Sequence, residues 1–200
     1  MIIKLISLKL CSKLMENTEV ELKFSLLNHE DTIEKLKQTA KLIFEEEYQR
    51  DTYYIPEHRN FIIQKPISEW LRIRETKKCF NLNYKKWHNS ENEFAVSCDE
   101  FETNFEDLNA LKNILAELNF REIIMLEKSR SSWNYNDVEI SVDEITGLGH
   151  FIELEARNFN NLEEAKQHLY KILEELNIKV GEQNFKEYPH LLLEKKGLLS

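Results

Sequence analysis

Residues 19–24 read Glu-Val-Glu-Leu-Lys-Phe, charged and apolar by turns. Successive side chains of a strand point to opposite faces, so Glu19, Glu21 and Lys23 share one face and Val20, Leu22 and Phe24 the other. The alternation returns at residues 71–74 (Leu-Arg-Ile-Arg), 82–85 (Leu-Asn-Tyr-Lys), 126–130 (Leu-Glu-Lys-Ser-Arg) and 151–155 (Phe-Ile-Glu-Leu-Glu). It predicts strands over 19–26, 50–55, 69–75, 80–87, 93–102, 123–130, 138–142 and 151–157. Segments 69–75 and 80–87 should pair as a hairpin around Lys77-Lys78, and turns are expected at 89–92 and 131–137.

Apolar residues three and four apart predict helices over 30–47 (Ile33, Leu36, Ala40, Ile43, Phe44), 104–119 (Leu108, Leu111, Leu115, Leu118) and 161–177, with a short closing helix over 185–195. Asn161 and Glu164 have the spacing of an N-cap and its reciprocal acid. The architecture expected is α+β: an antiparallel eight-stranded β-barrel with helices packed outside, which covers every apolar face and leaves few edges.

Two hundred residues suit one large domain, and with only four Gly and three Pro there is no evident linker. Residues 15–200 are read as that domain. Residues 1–14, apolar and basic, are read as an extension of little structural weight, with Met15 an alternative start. A net charge of −9 argues against nonspecific binding to nucleic acid. No apolar run approaches a membrane span, and three cysteines without CxxC spacing fit a reducing cytoplasm better than a disulfide framework or zinc site.

The charged strand faces hold the bases Lys23, Arg72, Arg74, Lys85, Lys128 and Arg130 and the acids Glu19, Glu21, Asp143, Glu153 and Glu155. Enclosed charges need partners, because desolvating an unpaired ion is costly. Three readings follow. The two sets could neutralise each other as a structural network. They could hold a metal-bound polyphosphate, acids taking a hard cation and bases the phosphate oxygens, which is the reading favoured. A barrel for an apolar ligand would need the reverse pattern.

Bland readings suit other candidates. His150 reads as a turn residue and His58, His88 and His190 as surface. Trp70, Trp87 and Trp133 read as packing, Cys98 as inert, and Gly147 and Gly149 as turn formers.

Residues 19–23 resemble the ExExK signature of the CYTH superfamily, the triphosphate tunnel metalloenzymes. Six further segments resemble that family in order: residues 49–54 its QxDTYF, 71–74 its LRIR, 82–85 its LTYK, 127–130 its EKxR, 142–153 its VDxxxGLGxFxE and 187–192 its closing SYxxLL. The resemblance covers residues 19–192. It implies an eight-stranded tunnel accessible at both ends. It implies divalent metal, Mg²⁺ or Mn²⁺, on Glu19, Glu21 and Glu153 with Glu155 and Asp143 nearby, and triphosphate on Lys23, Arg72, Arg74, Lys85, Lys128 and Arg130. Glu19, Glu21, Lys23, Lys85, Asp143 and Glu153 are the catalytic candidates. The strand at 127–130 and the run at 143–151 look most like class IV adenylyl cyclases, which convert ATP to cyclic AMP and pyrophosphate. The family also includes thiamine and inorganic triphosphatases, and a polyphosphate-binding module without turnover is a third reading. A triphosphate substrate, no membrane partner, and a monomer or homodimer are expected. Lys86-Trp87 stands where many members have Gly-Pro, and residues 97–99 lack a base that many carry.

Overall fold

The computed structural model of the chain describes residues 18–88, 97–157, 159 and 161–199. The N-terminal extension, the expected turn at 89–92 and the start of the strand expected from 93 lie outside the described residues. Nine strands form one antiparallel sheet: β1 (Thr18–Leu26), β2 (Lys41–Pro56), β3 (Glu69–Glu75), β4 (Phe80–Trp87), β5 (Ser97–Phe105), β6 (Phe120–Tyr135), β7 (Val138–Ile145), β8 (Gly149–Arg157) and β9 (Val180–Gln183). They run in the order β5-β4-β3-β2-β6-β7-β8-β1, and β1 pairs back onto β5, which closes a ring of eight. Closure rests on a short ladder, Thr18 to Asp99, Glu19 to Cys98 and Val20 to Ser97. β9, which the pattern of the sequence did not reveal, continues along the same edge of β1 as β5, near Phe24 and Leu26.

Among the described residues four helices are present: α1 (His29–Thr39), α2 (Leu108–Glu117), α3 (Leu162–Glu175) and α4 (Tyr188–Lys195). α3 is capped by Asn161, whose side chain accepts from the backbone N–H groups of Glu163 and Glu164. With Leu36 of α1 it covers the outer faces of β1, β7 and β8, burying Val20, Leu22, Phe24, Trp133, Ile140, Ile152 and Leu154. α2 covers the outer side of β2 and β3 through Tyr54, Ile73 and Leu115.

α4 does something different. Its Tyr188, Leu192 and Leu193 pack with Tyr53, Trp70, Ile124, Leu126, Ile145 and Phe151. By the two-residue period those strand side chains share the face of Asp51, Arg72, Lys128, Asp143 and Glu153, the inner face of the ring. One end of the ring is therefore filled by apolar side chains, where the sequence implied a passage open at both ends.

The helix expected over 30–47 ends at Thr39, and Ala40 is extended (φ −121°, ψ 157°). Residues 41–47 instead open β2 and pair with the far half of β6, Lys41 opposite Asn134 and Leu42 opposite Trp133. Ile43, counted in the helical stripe, is about half exposed. The turn expected over 131–137 shrinks to Asn136 and Asp137, with Asn136 at φ 59°, because β6 runs on to Tyr135 to meet both β2 and β7. β5 likewise reaches Phe105, which delays α2 to Leu108. No helix among the described residues is long and apolar enough to cross a membrane.

Candidate active site

The inner face changes character along each strand. On β3 the inward residues run from Trp70 at the apolar stopper, through Arg72 and Arg74, to Thr76. On β2 they run from Tyr53 through Asp51 and Gln49 to Glu47. The ionic middle and the far mouth enclose a cavity of about 290 Å³. Eight of the eleven side chains singled out from the sequence line it: Glu21, Arg72, Arg74, Lys85, Lys128, Arg130, Glu153 and Glu155. Glu19, Lys23 and Asp143 are buried behind them and bonded to them.

Lys23 Nζ is surrounded by carboxylates, Glu21 at 3.0 Å, Glu153 at 3.3 Å and Glu187 at 3.7 Å. Burial alone would lower its pKa, but Glu187, Glu21 and Glu153 outweigh burial and raise it. Lys85 pairs with Glu19 and lies 3.5 Å from Glu21 and 3.8 Å from Glu100. Burial raises the pKa of Glu19. In the neighbouring Glu100 burial is overcome, by Lys85 above all, and its carboxyl is held below the usual range. Arg130 grips Asp143 through two bonds of 2.7 and 2.5 Å and also reaches Glu153. Asp143 accepts further bonds from Lys128 at 3.4 Å and from the Tyr188 hydroxyl at 2.9 Å. Lys128 is the exception among the bases. Burial, then the positive charge of Arg130, lowers its pKa to about 7.

Several neighbours of the site were given no role from the sequence, although residues 49–54 and 187–192 resemble family segments. Asp51 is fully buried and holds Arg74 Nε and Nη2 at 2.7 Å each, with Arg72 Nη1 at 3.5 Å. Arg157 links Glu19, Glu100 and Glu155. Glu187 closes the set around Lys23, and Gln49 and Tyr188 also line the cavity. Simple alternation through residues 49–53 and 153–157 places Asp51, Gln49 and Arg157 on the inner face. Nothing local marks Glu187, because it precedes a helix rather than lying in a strand. Of the residues read as bland, Trp70 and Trp133 are buried in packing, and Gly147 and Gly149 take positive φ at the β7–β8 turn. Cys98, read as inert, has its thiol pKa raised by burial, and its Sγ donates to Glu19 at 3.0 Å. His150 stacks on His29 with ring centroids 4.4 Å apart.

The donor set fits a hard divalent cation in kind. It is made of carboxylate oxygens, its lining carries eight acids against six bases, and the buried Oε1 of Glu187 has no hydrogen-bond partner among the described residues. The acids are not gathered in advance, for each predicted ligand faces a base. Among the described residues no three His, Cys, Asp or Glu side chains stand grouped for an ion.

A CYTH domain model matches residues 17–184 of the chain. A Methanocaldococcus jannaschii protein named as a putative adenylate cyclase is 29% identical over 182 residues, covering 90% of this chain and 99% of its own length. A protein of Pyrococcus horikoshii OT3 superposes with a TM-score of 0.74 at 31% identity, covering 88% of this chain and 99% of that one. A Hippeastrum protein, described as a putative adenylyl cyclase with a dominant triphosphatase activity, shares the fold at 15% identity and a TM-score of 0.59, over 90% and 95% of the two chains. The match to the domain model over most of its length, with the ring of strands and the enclosed ionic face, makes this chain a member of the CYTH domain family.

Proposed function

We propose that the chain is a metal-dependent enzyme that draws a triphosphate into the ionic middle of the ring, and that its reaction is the conversion of ATP to cyclic AMP and pyrophosphate. The observation that carries the reading is the enclosed cavity, ionic in its middle and packed by α4 towards one end. A linear triphosphate would enter phosphate first. Its terminal phosphate would lie deepest, towards Lys23 and Lys128, and the α-phosphate and sugar nearer the mouth. Arg72, Arg74, Lys85 and Arg130 would take the remaining phosphate charge, Arg through its planar fork.

In the cyclase reaction the ribose O3′ bonds to the α-phosphorus, the bond from that phosphorus to the bridging oxygen breaks, and pyrophosphate leaves while the O3′ proton passes to solvent. The protein's share is to align O3′ and to stabilise charge on the departing group. Glu19, Glu21, Glu153 and Glu155 would hold Mg²⁺ or Mn²⁺, which neutralises phosphate charge when bound. Asp143 is less available, since both its oxygens are engaged by Arg130. Hydrolysis of the terminal phosphate is the second reading, supported by the activity described for the Hippeastrum neighbour. Against it stands the depth of that phosphate behind the substrate, away from the wet mouth. We place the protein in the cytoplasm, in keeping with its unpaired Cys79 and Cys98.

Incubation with ATP and Mg²⁺ or Mn²⁺, followed by chromatography, separates the readings. Cyclic AMP and pyrophosphate are expected, with loss of both in Glu19→Gln and Glu153→Gln. ADP and orthophosphate alone would reject the cyclase in favour of the triphosphatase. Tight tripolyphosphate binding without any product would leave only a binding module.

A further inference from the structure

The mouth of the cavity differs from its middle. Here the inward side chains are Gln49, Glu47, Phe44, Asn81, Asn104 and Glu102. Gln49 is 2% exposed. Its Nε2 donates to Glu47 Oε2 at 3.2 Å, and because a carboxylate only accepts, that bond fixes which way the amide faces. Gln49 Oε1 is then a buried acceptor with no partner among the described residues. Asn81 stands at the same opening, its Nδ2 donating to Asn104 Oδ1 at 3.2 Å and its buried Oδ1 without a partner among the described residues. An unsatisfied buried acceptor is costly, so such atoms point to a donor that arrives with a ligand. Glu102 at this level would repel phosphate, and Glu47, paired with Lys78 at 3.2 Å, offers it no positive charge. Thr76 offers no competing donor, since its hydroxyl already bonds the Cys79 carbonyl. Phe44 supplies an apolar surface at the same opening.

We propose that this mouth is a base-recognition subsite, in which Gln49 Oε1 and Asn81 Oδ1 accept hydrogen bonds from the amino group of an amino-substituted heteroaromatic ring such as adenine. The proposal rests on the triphosphate reading above: phosphates held in the ionic middle of a cavity packed by α4 towards its far end leave the organic group at the mouth. It adds the two side-chain oxygens that would read that group. A ring with a carbonyl oxygen in place of the amine would bring an acceptor towards two acceptors and two carboxylates.

Calorimetric titration with ATP, ITP and inorganic tripolyphosphate, with Ca²⁺ replacing Mg²⁺ and chromatography to verify that the nucleotides stay intact, tests it. ITP differs from ATP chiefly by the loss of the exocyclic amine. The wild-type protein is expected to bind ATP roughly ten- to hundredfold tighter than ITP, the usual penalty for leaving buried polar groups unpaired. Gln49→Leu and Asn81→Leu should each shrink that preference while tripolyphosphate binds as before, which also reports that each variant is folded. Equal wild-type affinity for ATP and ITP, or a preference untouched in both variants, overturns the subsite and leaves the triphosphate reading standing. Failure of the wild type to bind tripolyphosphate removes both.

Discussion

Asp51 carries no substrate-facing role of its own, yet two phosphate-binding candidates depend on it. Burial would raise its pKa, and Arg74 and Arg72 reverse that, holding the carboxyl well below the usual range. Replacing it with Asn should leave two enclosed guanidinium groups without their anion. Breaking a buried pair from one side costs about 3 kcal/mol or more. Denaturant titration of Asp51→Asn is expected to show that loss together with weaker tripolyphosphate binding; wild-type stability would mean that solvent, not Asp51, balances the arginines. His29 gives a pH test. Burial, then His150, lowers its pKa, and its place at the start of α1 also disfavours a positive charge. The unfolded chain thus takes up the proton first. Stability contributed by neutral His29 is present above the ordinary histidine pKa of about 6.5 and is lost as pH falls through that value towards the lower folded pKa. Melting at pH 7.5 and 5.5 should show the drop, and His29→Gln should make the dependence shallower. At this scale the sequence was informative where charged and apolar residues alternate plainly, as at residues 19–24 and 71–74. Asp51 lies in the family-like segment 49–54 but was given no role there, and Glu187, outside any strand, meets its partner Lys23 only through the fold.

α4 packs across one end of the ring, and its contribution is packing plus one hydroxyl. Leu193 is 1% exposed in the stopper cluster, and Tyr188 lies beneath Lys23 and Lys128, 4.5 and 5.2 Å from its ring centre. Leu193→Ala should destabilise the fold by about 2–5 kcal/mol through the cavity it leaves. Tyr188→Phe keeps the ring and removes only the bond to the Asp143 carboxylate, for a smaller loss of about 1.5–3 kcal/mol. Urea titrations that rank the two variants the other way would show that the hydroxyl, not the apolar plug, holds this end. The helix was expected from residues 185–195, but not its position, since a short apolar stripe does not say which surface it will cover. The helix expected over 30–47 failed for a related reason. Ile43 and Phe44 continue the spacing of Ile33 and Leu36, and the ladder that β6 offers to residues 41–47 decides otherwise. The hairpin of β3 and β4 was legible because its signals are local: alternating residues on both sides of Lys77-Lys78.

Charge has to be considered over the whole molecule. A chain of net charge −9 folds around a cavity with more acids than bases, yet the substrate class proposed for it is a polyanion. The paired side chains explain how the empty ring tolerates its charges, each base being neutralised by acids nearby. They also predict an obstacle, because a triphosphate must win the bases away from carboxylates that then lack a partner. A divalent cation resolves the exchange by taking those carboxylates as the phosphate takes the bases. Metal and tripolyphosphate should therefore stabilise the fold far more together than separately. With the pair at about a hundred times its dissociation constant, linkage gives about 2.7 kcal/mol. For a chain of this size that is a rise in Tm of roughly 5–10 °C. Tripolyphosphate in the presence of a chelator, or metal alone, should give little of this, and Glu153→Gln should blunt the joint effect. A full shift with tripolyphosphate under chelation would mean that the bases are free to receive the anion unaided, and that the acids around them serve only to balance the fold.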